Sequence, residues 1–206
     1  MTAAAVGIFV GGRGLRMGGV AKANLLVGGR PILERTVEQC HAAARAVAGD
    51  QAALQLWLVG NSAAYPAPGV LRLADDPVGV GPIGGLRAFL RQLLPKQQPG
   101  LVLAGDLPFF SVELLVRLFS ESPGAAALAP RDEEGRWQPL FARYSPAALL
   151  PEIDAALLSG RTSLQHLFER LQDRAVQLPL SRAEWLLLRD WDRPSDVAAE
   201  CPETPR

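Results

Sequence analysis

An apolar run, Ala3 to Val10, passes directly into Gly11-Gly12-Arg13-Gly14-Leu15-Arg16-Met17-Gly18-Gly19-Val20-Ala21-Lys22. The run has the length and character of a buried first strand. The five glycines that follow let the backbone fold tightly and bring its N–H groups close to a ligand. Two arginines and a lysine sit among them. Donors, positive charge and close approach together suit a polyphosphate. The lysine stands out, because the chain has only two, Lys22 and Lys96, against nineteen arginines. A compact ammonium suits a point contact to a phosphate oxygen, where a planar guanidinium fits differently. Neither common phosphate-loop pattern is matched. G-x-x-x-x-G-K-[ST] is absent, since Lys22 lies between Ala21 and Ala23, and G-x-G-x-x-G starts at Gly12 and Gly14 but meets Met17. Spacing alone also allows a flexible glycine-rich turn with solvated arginines.

Downstream, strand and helix patterns alternate. Leu25 to Val27 reads as a short strand turned by Gly28-Gly29, and Pro31 opens a helix to about Val47. Leu54 to Val59 and Val70 to Leu73 read as strands, and Pro82 to Leu94 as a helix closed by Pro95. Leu101 to Ala104 is a strand, Ser111 caps a helix to Phe119, and Ala125 to Ala129 is a strand. Ser145 caps a helix with Pro146 first. Thr162 and Gln165 make a capping box for a helix ending at Leu171. Ala175 to Leu178 and Trp185 to Leu188 read as strands, and Pro194 opens a last helix. Arg131 to Arg136 reads as a hairpin. Such alternation predicts an α/β fold, a mainly parallel sheet with helices on both faces. One domain over residues 1–200 is expected, with a frayed tail at 201–206.

Ligands of such sheets bind at the carboxyl ends of the strands. The glycine-rich loop, Asn61, Asp75 and Asp106 all fall there. Asp106, in Leu101-Val102-Leu103-Ala104-Gly105-Asp106-Leu107-Pro108, is a candidate Mg²⁺ ligand, because magnesium takes one or two carboxylates with substrate phosphates and water. It could equally cap the Ser111 helix. Asp75 opens Asp75-Asp76-Pro77-Val78-Gly79-Val80-Gly81-Pro82-Ile83-Gly84-Gly85-Leu86, a loop leading to a helix start that favours an anion or polar edge. Its neighbour Asp76 is easily confused with it. The amide of Asn61 suits a base edge or ribose, or a turn.

The loop G-G-R-G-L-R-M-G-G-V-A-K resembles the signature L-A-G-G-x-S/G-x-R-M-G-x-x-K of MobA-type nucleotidyltransferases, which include the molybdenum cofactor guanylyltransferase. Phe9-Val10 stand in place of Leu-Ala. Asp106 falls on that family's metal-binding aspartate in a D-x-P-F-like segment. Asp75 falls on the nucleotide-contacting aspartate of D-x-x-x-x-x-G-P-L-x-G-L, and Asn61 on the nucleotide-binding Asn. Gln138-Pro139-Leu140-Phe141-Ala142 is similar to its Q/H-P-L-x-A strand near the acceptor side, and on its own reads as an edge strand. Arg189-Asp190-Trp191-Asp192-Arg193-Pro194-Ser195-Asp196 resembles N-x-N-T-P-E-D, with Asp190 and Asp192 for the asparagines and Arg193 for Thr. A carboxylate there can bind Mg²⁺ or cap the last helix. The resemblance implies a three-layer α/β/α Rossmann-like nucleotidyltransferase domain. It implies nucleotide binding by Phe9, Val10, Gly11, Gly12, Arg13, Gly14, Lys22, Asn61, Asp75 and Asp106. Lys22, Asp106 and Arg16 would be catalytic, with Mg²⁺ on Asp106.

The implied reaction moves GMP from GTP to molybdenum-molybdopterin, giving a guanine dinucleotide cofactor and pyrophosphate. Three other readings share the features. They are a cytidylyltransferase on the same cofactor, whose loop reads A-A-G where this chain has Val10-Gly11-Gly12, a sugar-phosphate nucleotidyltransferase, and a non-catalytic nucleotide-binding partner in molybdoenzyme maturation. Maturation proteins are expected partners. Twenty-one basic and twenty-one acidic residues leave no net charge, which argues against a nucleic-acid binder. Cys40 and Cys201 have no ligand spacing, and His41 and His166 read as structural. No apolar stretch reaches membrane length and no charged leader is seen, so a cytoplasmic location is expected.

Overall fold

The computed structural model describes residues 4–10, 22–50, 52–60 and 62–191. The first strand, β1 (Ala4–Phe9), is followed by a hairpin of β2 (Leu26–Val27) and β3 (Arg30–Pro31), then α1 (Ile32–Ala48). Strands β4 (Leu54–Val59) and β5 (Leu71–Leu73) precede α2 (Pro82–Leu93), and β6 (Gly100–Ala104) precedes α3 (Val112–Ser120). The remainder comprises β7 (Ala127–Ala129), β8 (Phe141–Tyr144), α4 (Pro146–Leu158), α5 (Leu164–Leu171), β9 (Ala175–Gln177) and α6 (Arg182–Leu186).

A seven-stranded sheet runs β5-β4-β1-β6-β8-β7-β9. Strands β5, β4, β1 and β6 are mutually parallel, and β8 alone is antiparallel to its neighbours β6 and β7. Both faces are covered, which gives three layers. In β4, Trp57 and Val59 point into the core under α2, α4 and α5, while Leu56 and Leu58 point into the core under α1 and α3. Period-two alternation with both sets apolar is what a strand buried on two faces requires. Gly7 and Gly100 let the Phe89 ring of α2 lie directly on the sheet, since a Cβ at Gly7 would meet that ring at 3.2 Å. Phe89 in turn meets Trp57 edge-on at 5.5 Å.

The mainly parallel sheet and the Ser111 cap, whose hydroxyl accepts from Leu114 N at 3.3 Å, match the sequence. Four readings need correction. Trp185 to Leu188 is no strand. Ser181 and Glu184 form a capping box that starts α6, and the short apolar run after it fits either structure. The Thr162–Gln165 box does not form. Ser163 is the N-cap of α5 without a side-chain bond, and Gln165 is held instead by the Trp137 backbone, at 3.0 Å from its N–H and 2.6 Å to its carbonyl. Gln138 to Ala142 is no edge, because β8 lies between β6 and β7. Pro95 does not close α2 abruptly, since Leu94–Lys96 continues as one 3-10 turn. The helix expected at Pro194 lies outside the described residues.

Candidate active site

The parallel strands end together at one edge of the sheet, and their loops bring the chemistry there. At the centre, Gly105 donates to the Phe9 carbonyl at 2.9 Å, which lashes the end of β6 to the end of β1. A Cβ on Gly105 would meet Val10 at 3.0 Å and Ala23 at 3.4 Å. The absent side chain therefore lets the Lys22–Asn24 turn close onto the strand tip. As a result Lys22 Nζ lies 3.1 Å from Asp106 Oδ2, although 84 residues separate them. Each side chain is 22% exposed, so the pair is screened from bulk water yet reachable.

Asp106 does not cap α3, which Ser111 does. Its main-chain carbonyl accepts from Trp191 N–H at 3.1 Å. Phe9 and Val10 are buried; Val10 N–H donates to the Val59 carbonyl at 3.0 Å, so these two residues form the floor of the edge. Gly11, Gly12, Arg13, Gly14, Arg16 and Asn61 lie outside the described residues. So does Asp192, while Asp190 is exposed beside Trp191.

The adjacent aspartates after β5 part ways. Asp76 Oδ2 takes Arg87 at 2.8 Å and Arg91 at 3.0 Å, both from α2, and Arg87 Nε reaches Asp154 of α4 at 2.6 Å. Asp76 thus holds the loop to its helix. Asp75 turns toward the first turn of α2, where a Cβ on Gly85 would sit 2.9 Å from its Oδ1. Burial raises its carboxyl above the ordinary range. Gly84 is equally confined, because a Cβ there would overlap the Pro77 carbonyl oxygen. The Gly84-Gly85 pair therefore allows the helix start to close over Asp75.

Sequence reasoning missed three supports. Asn24 Nδ2 donates to the Ala64 carbonyl at 3.0 Å, tying the Lys22 turn to the loop after β4. Tyr65 is buried in the same core as Ala23, and its phenol is raised mainly by burial. Trp191 was visible only as the middle residue of a late motif. No group of three or more His, Cys, Asp or Glu side chains with metal-binding geometry occurs among the described residues. A site with one carboxylate, completed by phosphate oxygens and water, is the kind magnesium accepts, and Asp106 fits it.

Residues 6–176 match the MobA-like NTP transferase domain. The chain belongs to this family. It is a nucleotidyltransferase. A probable molybdenum cofactor guanylyltransferase of Methanosarcina mazei is 34% identical over 170 residues, spanning 81% of this chain and 74% of that protein. A molybdenum cofactor guanylyltransferase of Cereibacter sphaeroides is 30% identical over 198 residues, spanning 89% and 96%. The molybdopterin-guanine dinucleotide biosynthesis protein A of Archaeoglobus fulgidus superposes with a TM-score of 0.70 at 25% identity, over 95% of this chain and 96% of that one. No helix among the described residues is long and apolar enough to cross a membrane.

Proposed function

We propose that this chain transfers GMP from GTP to molybdenum-molybdopterin, forming molybdopterin guanine dinucleotide and releasing pyrophosphate. The observation that carries the reading is the Lys22–Asp106 pair at the tip of the central parallel strands. The names of the relatives supply the acceptor, and Val10-Gly11-Gly12 in place of A-A-G favours guanine. Partnership with molybdoenzyme maturation proteins and a cytoplasmic location belong to the same proposal.

The acceptor phosphate oxygen forms a bond to the α-phosphorus of GTP as the bond to pyrophosphate breaks. That oxygen is anionic near neutral pH, so no side chain has to remove a proton. The protein's work is positioning and neutralisation of charge. Lys22 exchanges its carboxylate partner for phosphate oxygens and offsets the charge that shifts to the leaving group. Arg13, Arg16 and the loop amides hold the triphosphate, while Asn61 and Asp75 orient the nucleoside. Asp106 would hold Mg²⁺, which would supply Lewis-acid neutralisation of the phosphate charge.

Purified protein with Mg²⁺, molybdopterin carrying molybdenum, and each of GTP, CTP, ATP and UTP tests the reading. Turnover with GTP preferred is the expected result. Equal or better use of CTP removes the guanylyl assignment, and binding without turnover leaves a nucleotide-sensing partner.

A further inference from the structure

Asp106 sits between two anchored neighbours, since Gly105 N–H is bonded to the Phe9 carbonyl and Leu107 is buried in the core. A further hold on its main chain comes from far along the sequence. Trp191 N–H donates to the Asp106 carbonyl at 3.1 Å. Its indole is 3% exposed and meets the Phe109 ring edge-on, centroids 5.7 Å apart at 73°. The Asp106–Phe109 loop is therefore gripped twice, once on its backbone and once on a ring.

The segment that delivers Trp191 is anchored in turn. Ser181 and Glu184 cap α6, and Glu184 Oε1 accepts from Arg117 of α3 at 2.9 Å. Leu188 then enters the core that also holds Leu107 and Phe110. A continuous line of packed groups runs from α3 through α6 to the strand tip. Trp191 is large and buried, and its N–H and its ring both meet the Asp106–Phe109 loop.

We propose that Trp191 is the positioning residue for Asp106: its buried indole fixes the segment whose N–H holds the Asp106 main chain, and so keeps the carboxylate aimed at Lys22 and at a bound cation. This rests on the reading of Asp106 as the metal-holding group. The indole itself touches no reacting atom.

The test compares wild type with Trp191→Ala and Trp191→Phe. Amide hydrogen exchange over residues 105–110, in protein with neither metal nor nucleotide, should be faster in the Ala variant and near normal in the Phe variant. The Mg²⁺ concentration for half-maximal single turnover should rise about tenfold in Trp191→Ala, the scale seen when an outer support of a metal ligand is lost. At saturating Mg²⁺ most of the rate should return, and GTP affinity measured without metal should not change. Trp191→Phe should restore most of the normal requirement. If Trp191→Ala does not fold, Phe109→Leu loosens the same grip from its other side and should move both readouts in the same direction. Unchanged exchange, an unchanged Mg²⁺ requirement, or a rate loss that no Mg²⁺ concentration recovers each overturns the proposal. Failure of the metal reading shows separately, as an unchanged Mg²⁺ requirement in Asp106→Asn, while the exchange measurement tests the grip without any metal.

Discussion

The two halves of the sheet carry their charges in different ways. In the parallel half, β5-β4-β1-β6, charged groups stand at strand ends: Asp75, half-buried against a helix start, and Asp106 with Lys22. In the half formed by β8, β7 and β9, and in the helices over it, charges join one element to another, as Asp76 and Arg87 also do on the parallel side. Glu152 takes Arg170 at 2.8 Å and Arg174 at 2.7 Å. Arg143, 5% exposed on β8, donates to the carbonyls of Leu118 and Phe119, and to that of Ser122, at the end of α3. Parallel strands deliver their carboxyl ends, and the loops after them, to one edge. β7 and β9 run the same way and β8 alone is reversed, so strand direction does not by itself separate the halves; the catalytic candidates stand where β1 and β6 end side by side.

Asp106→Asn should break the active half most completely. Turnover should fall about a thousandfold, the upper range for losing one charge-bearing group that acts in the transition state. The melting temperature should hardly move, because the group sits at a part-exposed strand tip. Steady-state rates at limiting Mg²⁺ alongside a thermal melt check this. A near-normal rate would remove Asp106 from the chemistry. Glu152→Gln, in the other half, should leave turnover unchanged.

Lys22→Ala should cost roughly 3 kcal/mol in the transition state, about a hundredfold in rate, with a smaller loss of GTP affinity. Several loop donors share ground-state binding, while a point charge near the α-phosphate gains most as charge moves. Lys22→Arg should recover only part, because the guanidinium is larger and differently shaped. Single-turnover kinetics with GTP titration separates the cases. A pure affinity loss at an unchanged saturated rate would make Lys22 a tether.

The same division governs how much could be read from the sequence. Runs such as Leu54 to Val59 are apolar on both faces, and each is followed by a turn and a helical pattern, so the parallel half and its edge were legible. Asp75 and Asp106 could be placed two residues past a strand end from pattern alone. The other half depends in part on tertiary partners and in part on a local cap, Ser181 with Glu184, that the apolar run after it masks. Gln165 serves the Trp137 backbone rather than a capping box, and Trp185 to Leu188 has an apolar run that a cap upstream turns into helix. The grip of Trp191 on Asp106 joins positions 85 apart in number, and nothing near either residue signals it.

Gly84→Ala tests whether the parallel half depends on close backbone approach. The new methyl would overlap the Pro77 carbonyl oxygen, which is backbone and cannot swing away. A cost of about 2 kcal/mol is expected, roughly 4–8 °C in melting temperature for a chain of this size. Gly124→Ala, where a Cβ meets nothing within 4 Å, should be neutral. GTP affinity should fall with Gly84→Ala because Asp75 shares the same turn. Equal melting of the two variants would mean that the helix start yields freely.

The smallest effects carry opposite signs. Burial raises the Asp75 carboxyl, so its charged form burdens the folded state above that raised value, and the burden fades as falling pH protonates it. Asp75→Asn should therefore melt slightly higher than wild type at neutral pH, with the gain shrinking as pH drops through the raised value, while GTP binding weakens. Glu152 is the reverse case. The hydrogen bond from Arg174, joined by Arg170, holds its carboxyl below the ordinary range. Its contribution is fully present above the ordinary carboxylate value and is lost as pH falls through the lowered one. Glu152→Gln should cost about 0.5 kcal/mol at neutral pH, since its arginine partners are substantially exposed, and nothing in strong acid. Melting curves of both variants from neutral pH into acid decide it. If Asp75→Asn were destabilising at neutral pH, Asp75 would be a structural carboxylate like Asp76, and the contrast between the two halves would fail where they are most alike.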